Sequence, residues 1–404
     1  MTNPSSSAAG PLAGVRVIEL GQLIAGPFCG KTLADFGAEV VKIEPPGKGD
    51  PLRKWRLLKN GNSVWWEVQS RNKQSVTLDL TQREGQDVLR LLVKEADVLI
   101  ENFRPGKMEE WGLGYEDLKK LNPRLVMARI SGYGQDGPYR DRPGFGIIAE
   151  SMGGLRYLTA EPGRVPVRVG VSIGDTLAAL HGVIGILMAL YHRDRDASGG
   201  EGQVVDIALY ESVFNCMESL LPEYSAFNVV REAAGSALPG IVPSNAYPCK
   251  DGWILIGGNG DGIFKRLMKA IGRDDYAASP DMAGNDGRVK RVADIDGAIT
   301  AWTQAQDKVT ALKILADHDV PSGAIYSVAD IAADAQYRAR DMILNITTRD
   351  GYTVDVPGIV PKLSATPGGI RSTAPRLGED TVAVLERAGL KPETLADLSA
   401  KGVI

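Results

Sequence analysis

The chain is poor in the residues that most often carry chemistry: it has three histidines, His181, His192 and His318, and three cysteines, Cys29, Cys216 and Cys249. An odd number of widely spaced cysteines with no CxxC pair supports neither a disulfide framework nor a thiolate metal site, and it fits a reducing compartment such as the cytoplasm. HExxH and HxH spacings are missing, so no metal is expected. A charge excess is missing as well. Basic residues number 46 and acidic residues 50, well mixed along the chain, which leaves no extended basic surface to track a nucleic acid. No apolar run reaches the ~20 residues of a membrane span. The longest, 176–191, carries His181 in its middle and is expected to be a buried helix, so no membrane partner is anticipated. Residues 1–14 have no charged n-region and no apolar core, and read as a loose lead-in and not as a signal peptide.

Glycine and apolar residues are plentiful. The 404 residues, 44% of them hydrophobic, are enough for more than one core, since single cores stop growing near roughly 250–300 residues. The 47 glycines follow no period, which suits tight turns and close backbone approaches around a large ligand. Short β-branched runs at 15–20, 39–44, 75–80, 97–101 and 124–131 alternate with helical patterns such as 82–96, predicting an α/β fold with a Rossmann-like parallel sheet. Ligands of such sheets sit outside the carboxyl ends of the strands, here the loops that begin at Gly21, Pro45, Asn102 and Gly132. Helical patterns over 175–193 and 210–227 precede a Pro/Ser/Gly-rich stretch, 235–244, and a strand-rich turn into WILIGGNGDG. The expected organisation is a large domain built from 1–228 together with 330–404, and a smaller α+β domain, 229–329, carrying a glycine-rich loop.

The loop after the first strand, Ala25-Gly-Pro-Phe-Cys-Gly30-Lys31-Thr32, misses a Walker A pattern by one residue. Pro27 removes an N–H that a phosphate cradle needs and favours the first turn of a helix, so Lys31 is expected inside that helix. A GxGxxG dinucleotide fingerprint is absent from the same turn. The histidines have plain explanations: His181 as a hydrogen-bonded core residue, His192 and His318 at helix ends. Carboxylates remain as nucleophiles, because an aspartate is ionised at neutral pH and can attack an activated acyl group without a general base. Asp175 is the best placed, since in VRVGVSIGDTLAAL it follows a strand-like run and opens a long apolar helix. The same position also suits a plain helix cap.

Seven blocks in order, LAGVRVIEL, AGPFCGKTLADFGAEVVKIEPPGKGDPLR, NKQSVTLDL, ADVLIENFRPG, NPRLVMARISGYGQDGPY, VGVSIGDTLAALHG and GEGQVVDIALYES, resemble the class III CoA-transferases of the formyl-CoA transferase and carnitine CoA-transferase type. The resemblance implies that Asp175 is the acyl-accepting residue, that Gly257, Gly258, Asn259 and Gly260 form a glycine-rich loop aiming backbone amides at the reacting oxygen, and that protomers interlock as a dimer. It also implies CoA contacts from Leu23, Ile24 and Ala25, from Asn102 and Phe103, and from Arg104, Lys107 or Arg142 toward the phosphates, although each basic residue taken alone reads more readily as a solvated surface charge. Apolar Ile24 stands where formyl-CoA/oxalate members carry Gln, which points away from oxalate. Gly146, in the block PGFG beside Phe145, stands where many relatives have an acidic residue.

On this resemblance the substrates are an acyl-CoA thioester, such as succinyl-CoA, and a free carboxylic acid, with no further cofactor. Arg168, and less favourably Arg164, lies shortly before Asp175 and is a candidate to hold the second carboxylate of a dicarboxylic acid, with Phe145 also at the substrate. The homodimer has a heteromer with a paralogue as its alternative. Two further readings are a 2-methylacyl-CoA racemase and a silent subunit of a heteromeric transferase.

Overall fold

In the computed structural model, residues 10–196 and 199–404 are described, so the expected lead-in lies largely outside the described residues. The chain divides into two compact units. The first comprises residues up to Leu155, Val169–Glu218 and Gln336–Ile404; the second comprises Arg156–Arg168 and Ser219–Ala335.

The first unit is built on six parallel strands, β1 (Arg16–Glu19), β2 (Glu39–Glu44), β3 (Lys73–Thr77), β4 (Val98–Glu101), β5 (Val126–Ser131) and β6 (Val204–Ala208). Their spatial order is 3-2-1-4-5-6, with all five pairings parallel. This is the doubly wound Rossmann order, whose direction reverses between β1 and β4 and opens a crevice there. Both faces of the sheet are covered, so successive residues pack into opposite cores. Ile18, Leu99 and Met127 join a cluster with the helix Arg83–Val93 and the C-terminal residues Val384, Leu385 and Leu398. Val17, Val98, Ile100, Val126 and Ala128 join the other, with α1 (Ala25–Asp35) and the long helix that here follows α2 (Gly146–Met152), α3 (Ile173–Arg195). Burial on both sides is why these strands read as near-continuous apolar runs, each large apolar side chain contributing about 1.5–3 kcal/mol.

Several expectations are corrected. The sheet has a sixth strand, β6, that the sequence reading did not pick out; VVDIA is short, lies at the edge and carries Asp206 at its centre. The strand-like run before Asp175 forms no strand among the described residues: Val165, Val167, Val169 and Val171 are all exposed on a stretch without regular secondary structure. The segment Arg156–Arg168 belongs to the second unit, tied there by Gly235 N–H donating to the Ala160 carbonyl (3.0 Å) and Tyr157 bonding Glu232. The helical pattern over 210–227 is two helices, α4 (Leu209–Phe214) and Leu220–Phe227, separated where Glu218 takes a left-handed φ of 51°. Finally, α3 is buried along one face only; Leu180, Ile184, Leu187, Met188 and Tyr191 lie exposed along the other.

The second unit packs a three-stranded antiparallel sheet, order Ser322–Ala324, Gly252–Gly257, Ser244–Cys249, against helices Asp261–Ala270, Val292–Gln304 and Lys308–Asp317. Tyr247, Ile254, Ile256, Phe264, Leu267 and Ile299 centre its core.

Candidate active site

The crevice at the carboxyl ends of β1, β4 and β5 is a cleft of about 190 Å³, and Asp175 lies in its wall. Three connections converge there. The β1–α1 loop brings Leu23, Ile24 and Ala25; the loop after β4 brings Asn102, Phe103 and Arg104; the segment after β5 brings Arg142 and Phe145. The sequence reading had placed all of these around one ligand. It had not singled out Gln22, Arg140 or Gly144, which line the same cleft. Lys107 does not line it: its ammonium is 2.8 Å from Glu110 and sits over the Trp111 ring, a local pairing at the start of a short helix.

The convergence has a local cause in each loop. Asn102 clamps Gln22 from both sides, accepting its N–H at 2.8 Å and donating to its carbonyl at 2.9 Å. After β5, Gly132 and Gly144 cross backbone to backbone; a β-carbon on Gly132 would stand 2.7 Å from the Gly144 α-carbon, so neither position has room for a side chain. That crossing delivers Phe145 and Gly146, the start of α2, into the cleft. Asp175 is in the first turn of α3, two residues past the first helical residue Ile173, where the helix N-terminus favours an anion. It does not occupy the N-cap, which is Ser172.

Elsewhere the expectations for charged and polar groups resolve clearly. Lys31 lies within α1, 3.6 Å from Asp35 and over the Phe28 ring, and burial lowers its pKa to about 8, so it is not a phosphate-binding lysine of a P-loop. His181 bonds the Leu177 carbonyl (2.9 Å) and Asn215 (3.3 Å) and does not line the cleft. The stretch Gly170-Val171-Ser172-Ile173-Gly174 spells GxSxG, which the sequence reading missed. A nucleophile elbow needs a strand before the serine and a histidine beside it, and here neither the 165–171 stretch nor the cleft lining supplies them. Among the described residues no group of three or more His, Cys, Asp or Glu side chains is arranged to hold a metal.

The glycine-rich loop in the second unit differs from its expected use. It joins a strand to a helix, and its first two amides are already spent: Gly257 N–H donates to the Pro321 carbonyl and Gly258 N–H to the Pro243 carbonyl, both at 2.9 Å. Glycine at 258 serves close packing, since a β-carbon there would stand 2.5 Å from a Leu267 methyl. Buried Arg288 fixes the Asn259 carbonyl at 2.6 Å, and among the described residues no acceptor takes the N–H of Asn259 or Gly260. Arg168 lies in the second unit and is exposed.

A Rossmann-ordered sheet with a switch-point crevice lined by one carboxylate and three arginines defines a doubly wound α/β protein with its ligand cleft where such sheets carry one. The profile of CoA-transferase family III matches residues 12–381. The succinyl-CoA–D-citramalate CoA-transferase of Chloroflexus aurantiacus is 48% identical over 397 residues, 98% of each chain. The beta subunit of the succinyl-CoA–L-malate CoA-transferase of the same organism is 42% identical, again over 98% of each. A crystal structure of a CaiB/BaiF family protein from Brucella suis superposes with a TM-score of 0.81 at 34% identity, covering 94% of this chain and 100% of that one. The chain belongs to CoA-transferase family III and is an enzyme of the class III CoA-transferases.

Proposed function

We propose that the enzyme moves CoA from succinyl-CoA to a second dicarboxylic acid of the citramalate or malate kind, with Asp175 as the covalent nucleophile. The observation that carries this is that Asp175 is the sole carboxylate in the lining of the switch-point cleft, among the described residues. The names of the relatives support the donor and the acceptor class.

In this reading a carboxylate oxygen of Asp175 attacks the thioester carbon of succinyl-CoA, the C–S bond breaks, and CoA leaves as thiolate from a mixed succinyl–aspartyl anhydride. The thiolate attacks the aspartyl carbon, releasing succinate and leaving an aspartyl-CoA thioester. The acceptor carboxylate then displaces the thiolate to form a new anhydride, and the thiolate attacks the acceptor's carbonyl carbon, giving acceptor-CoA and free Asp175. One thioester replaces another, so the balance needs neither ATP nor a metal. The protein's task is to stabilise tetrahedral oxyanions and keep water from the anhydride. Arg104, Arg140 and Arg142 at the rim suit the CoA phosphates.

The racemase reading needs an acid–base pair at the substrate α-carbon. The titratable lining of the cleft is Asp175 and three arginines, which cannot form one at neutral pH. A homodimer is supported by the unpartnered apolar stripe on α3; a heteromer, the assembly that the name of the L-malate relative's beta subunit gives for that protein, is the alternative. Three free cysteines and a CoA thioester substrate support a cytoplasmic setting.

The test is Asp175→Ala with purified chain. Exchange between succinyl-CoA and citramalate or malate should be lost with the fold retained, and hydroxylamine or borohydride should label Asp175 in the wild type. Substantial exchange in Asp175→Ala would sink the mechanism.

A further inference from the structure

Beneath the cleft lies a group of buried charges that the acyl-transfer steps do not use. Lys42 Nζ is 3.0 Å from Glu19 and 2.8 Å from Asp50, and it donates to the Gly21 carbonyl at 2.6 Å. Lys73 Nζ is 2.7 Å from the other oxygen of Glu19 and donates to the Pro27 carbonyl at 2.8 Å. All four side chains are at most 3% exposed. Two cations and two carboxylates cancel in charge, yet burying four ions is a poor route to stability, because desolvation consumes most of the attraction. What the arrangement does supply is anchorage: it grips the backbone at Gly21 in the β1–α1 turn and at Pro27 in the first turn of α1.

Between those grips the backbone is strained. Leu23 has φ of 63°, a left-handed conformation that brings an L-residue's β-carbon against its own carbonyl. Its N–H points at Asp50, 3.1 Å from one carboxylate oxygen and 3.2 Å from the other. Burial opposes ionisation of Asp50, but Lys42 and the N–H groups of Leu52 and Leu23 hold its pKa below the usual carboxylate range, so the acceptor is a full anion. The next residue, Ile24, is the N-cap of α1, and no side chain caps the helix there.

We infer that Asp50 is a positioning residue for the acyl-transfer cleft: through the Leu23 N–H it holds Leu23 left-handed, so that the Leu23–Ala25 backbone keeps the place from which it meets the CoA ester. The inference rests on the reading of the Asp175 cleft as the reaction site. A residue that only stabilised the fold would lower the melting temperature and leave the conformational preference of position 23 without consequence.

The experiment compares Leu23→Ala with Leu23→Gly, which both remove the side chain and differ only in the β-carbon that penalises φ near +60°. With Asp50 intact, kcat/KM for the two should agree within about twofold, because the carboxylate enforces the conformation. In the Asp50→Ala background the glycine variant should exceed the alanine variant by about tenfold. Near-UV circular dichroism checks folding, and Asp50→Asn, which keeps the shape, serves in the same comparison if Asp50→Ala does not fold. A glycine-to-alanine ratio that stays the same in both backgrounds, while Asp175→Ala is inactive, overturns the role of Asp50 alone. Activity persisting in Asp175→Ala overturns the site reading instead.

Discussion

A β-carbon on Gly146 would fall inside van der Waals contact of Oδ2 of Asp175. The first residue of α2 and the first turn of α3 therefore meet at the carboxylate itself, and the missing side chain at 146 is the space Asp175 occupies. The position that looked empty of an acidic partner in the sequence is filled by the Asp175 carboxylate.

Gly146→Ala should consequently displace the Asp175 carboxylate while α2 and α3 stay folded. A misplacement of about 1 Å costs on the order of 100-fold in turnover, so kcat should fall by at least that factor, with an unchanged circular dichroism spectrum. Turnover within twofold of wild type would show that the carboxylate has freedom to move aside.

From its place shortly before Asp175 in the sequence, Arg168 is expected to hold the acceptor's distal carboxylate. Arg168→Gln should raise the apparent KM for malate or citramalate by at least about tenfold more than for a monocarboxylate of similar length, the signature of a lost charge pair. Equal effects on both acids would assign Arg168 to the surface.

Glu67 is 4% exposed, and one of its carboxylate oxygens has no hydrogen-bond partner among the described residues. Burial, helped by Asp350, raises its pKa to about 7. The unfolded chain releases this proton near pH 4.3 and the folded protein near 7, so stability falls as pH rises through that window and is level above it. Glu67→Gln should remove that slope and raise stability at pH 8 by roughly 3–4 kcal/mol, read from denaturant melts at pH 5 and pH 8. A variant less stable than wild type at pH 8 would mean that the ionised carboxylate has a partner.

On α3 the exposed stripe runs from Leu180 to Tyr191, and Met188 is 67% exposed. A contiguous apolar face of this kind marks an interface. Light scattering should give twice the chain mass for the wild type, and Ile184→Asp with Met188→Asp should give a monomer. A wild-type monomer that turns over at micromolar concentration would refute the dimer.

Five of the six strands and the loops around the cleft were readable from sequence because a strand buried on both faces concentrates β-branched residues, and because switch-point binding follows from strand order. The choice of Asp175 as nucleophile came from resemblance; its position alone favoured a helix cap. What escaped depends on partners far away in the chain. The alternating valines at 165–171 have the period of a strand, but pairing needs a neighbour, and none of the described strands takes them. Gly257 and Gly258 looked like free amides, and only the fold shows Pro321 and Pro243 accepting from them. Asp50 sits in an ordinary turn sequence, GKGD; its importance appears once β2 lays Lys42 beneath Leu23.

Met127 on β5 pairs with Val204 on β6, and everything between them, α2 and α3 included, is the crossover that joins two neighbouring strands. The acid at 175 is thus not attached to a finished sheet. The docking of the edge strand closes that long loop, and a loop of this length carries an entropic cost of closure. The loops after β1, β4 and β5 all precede α3 in the chain, so the arrival of β6 adds one wall residue, Leu209, to a crevice whose other lining residues are already in place along the sequence.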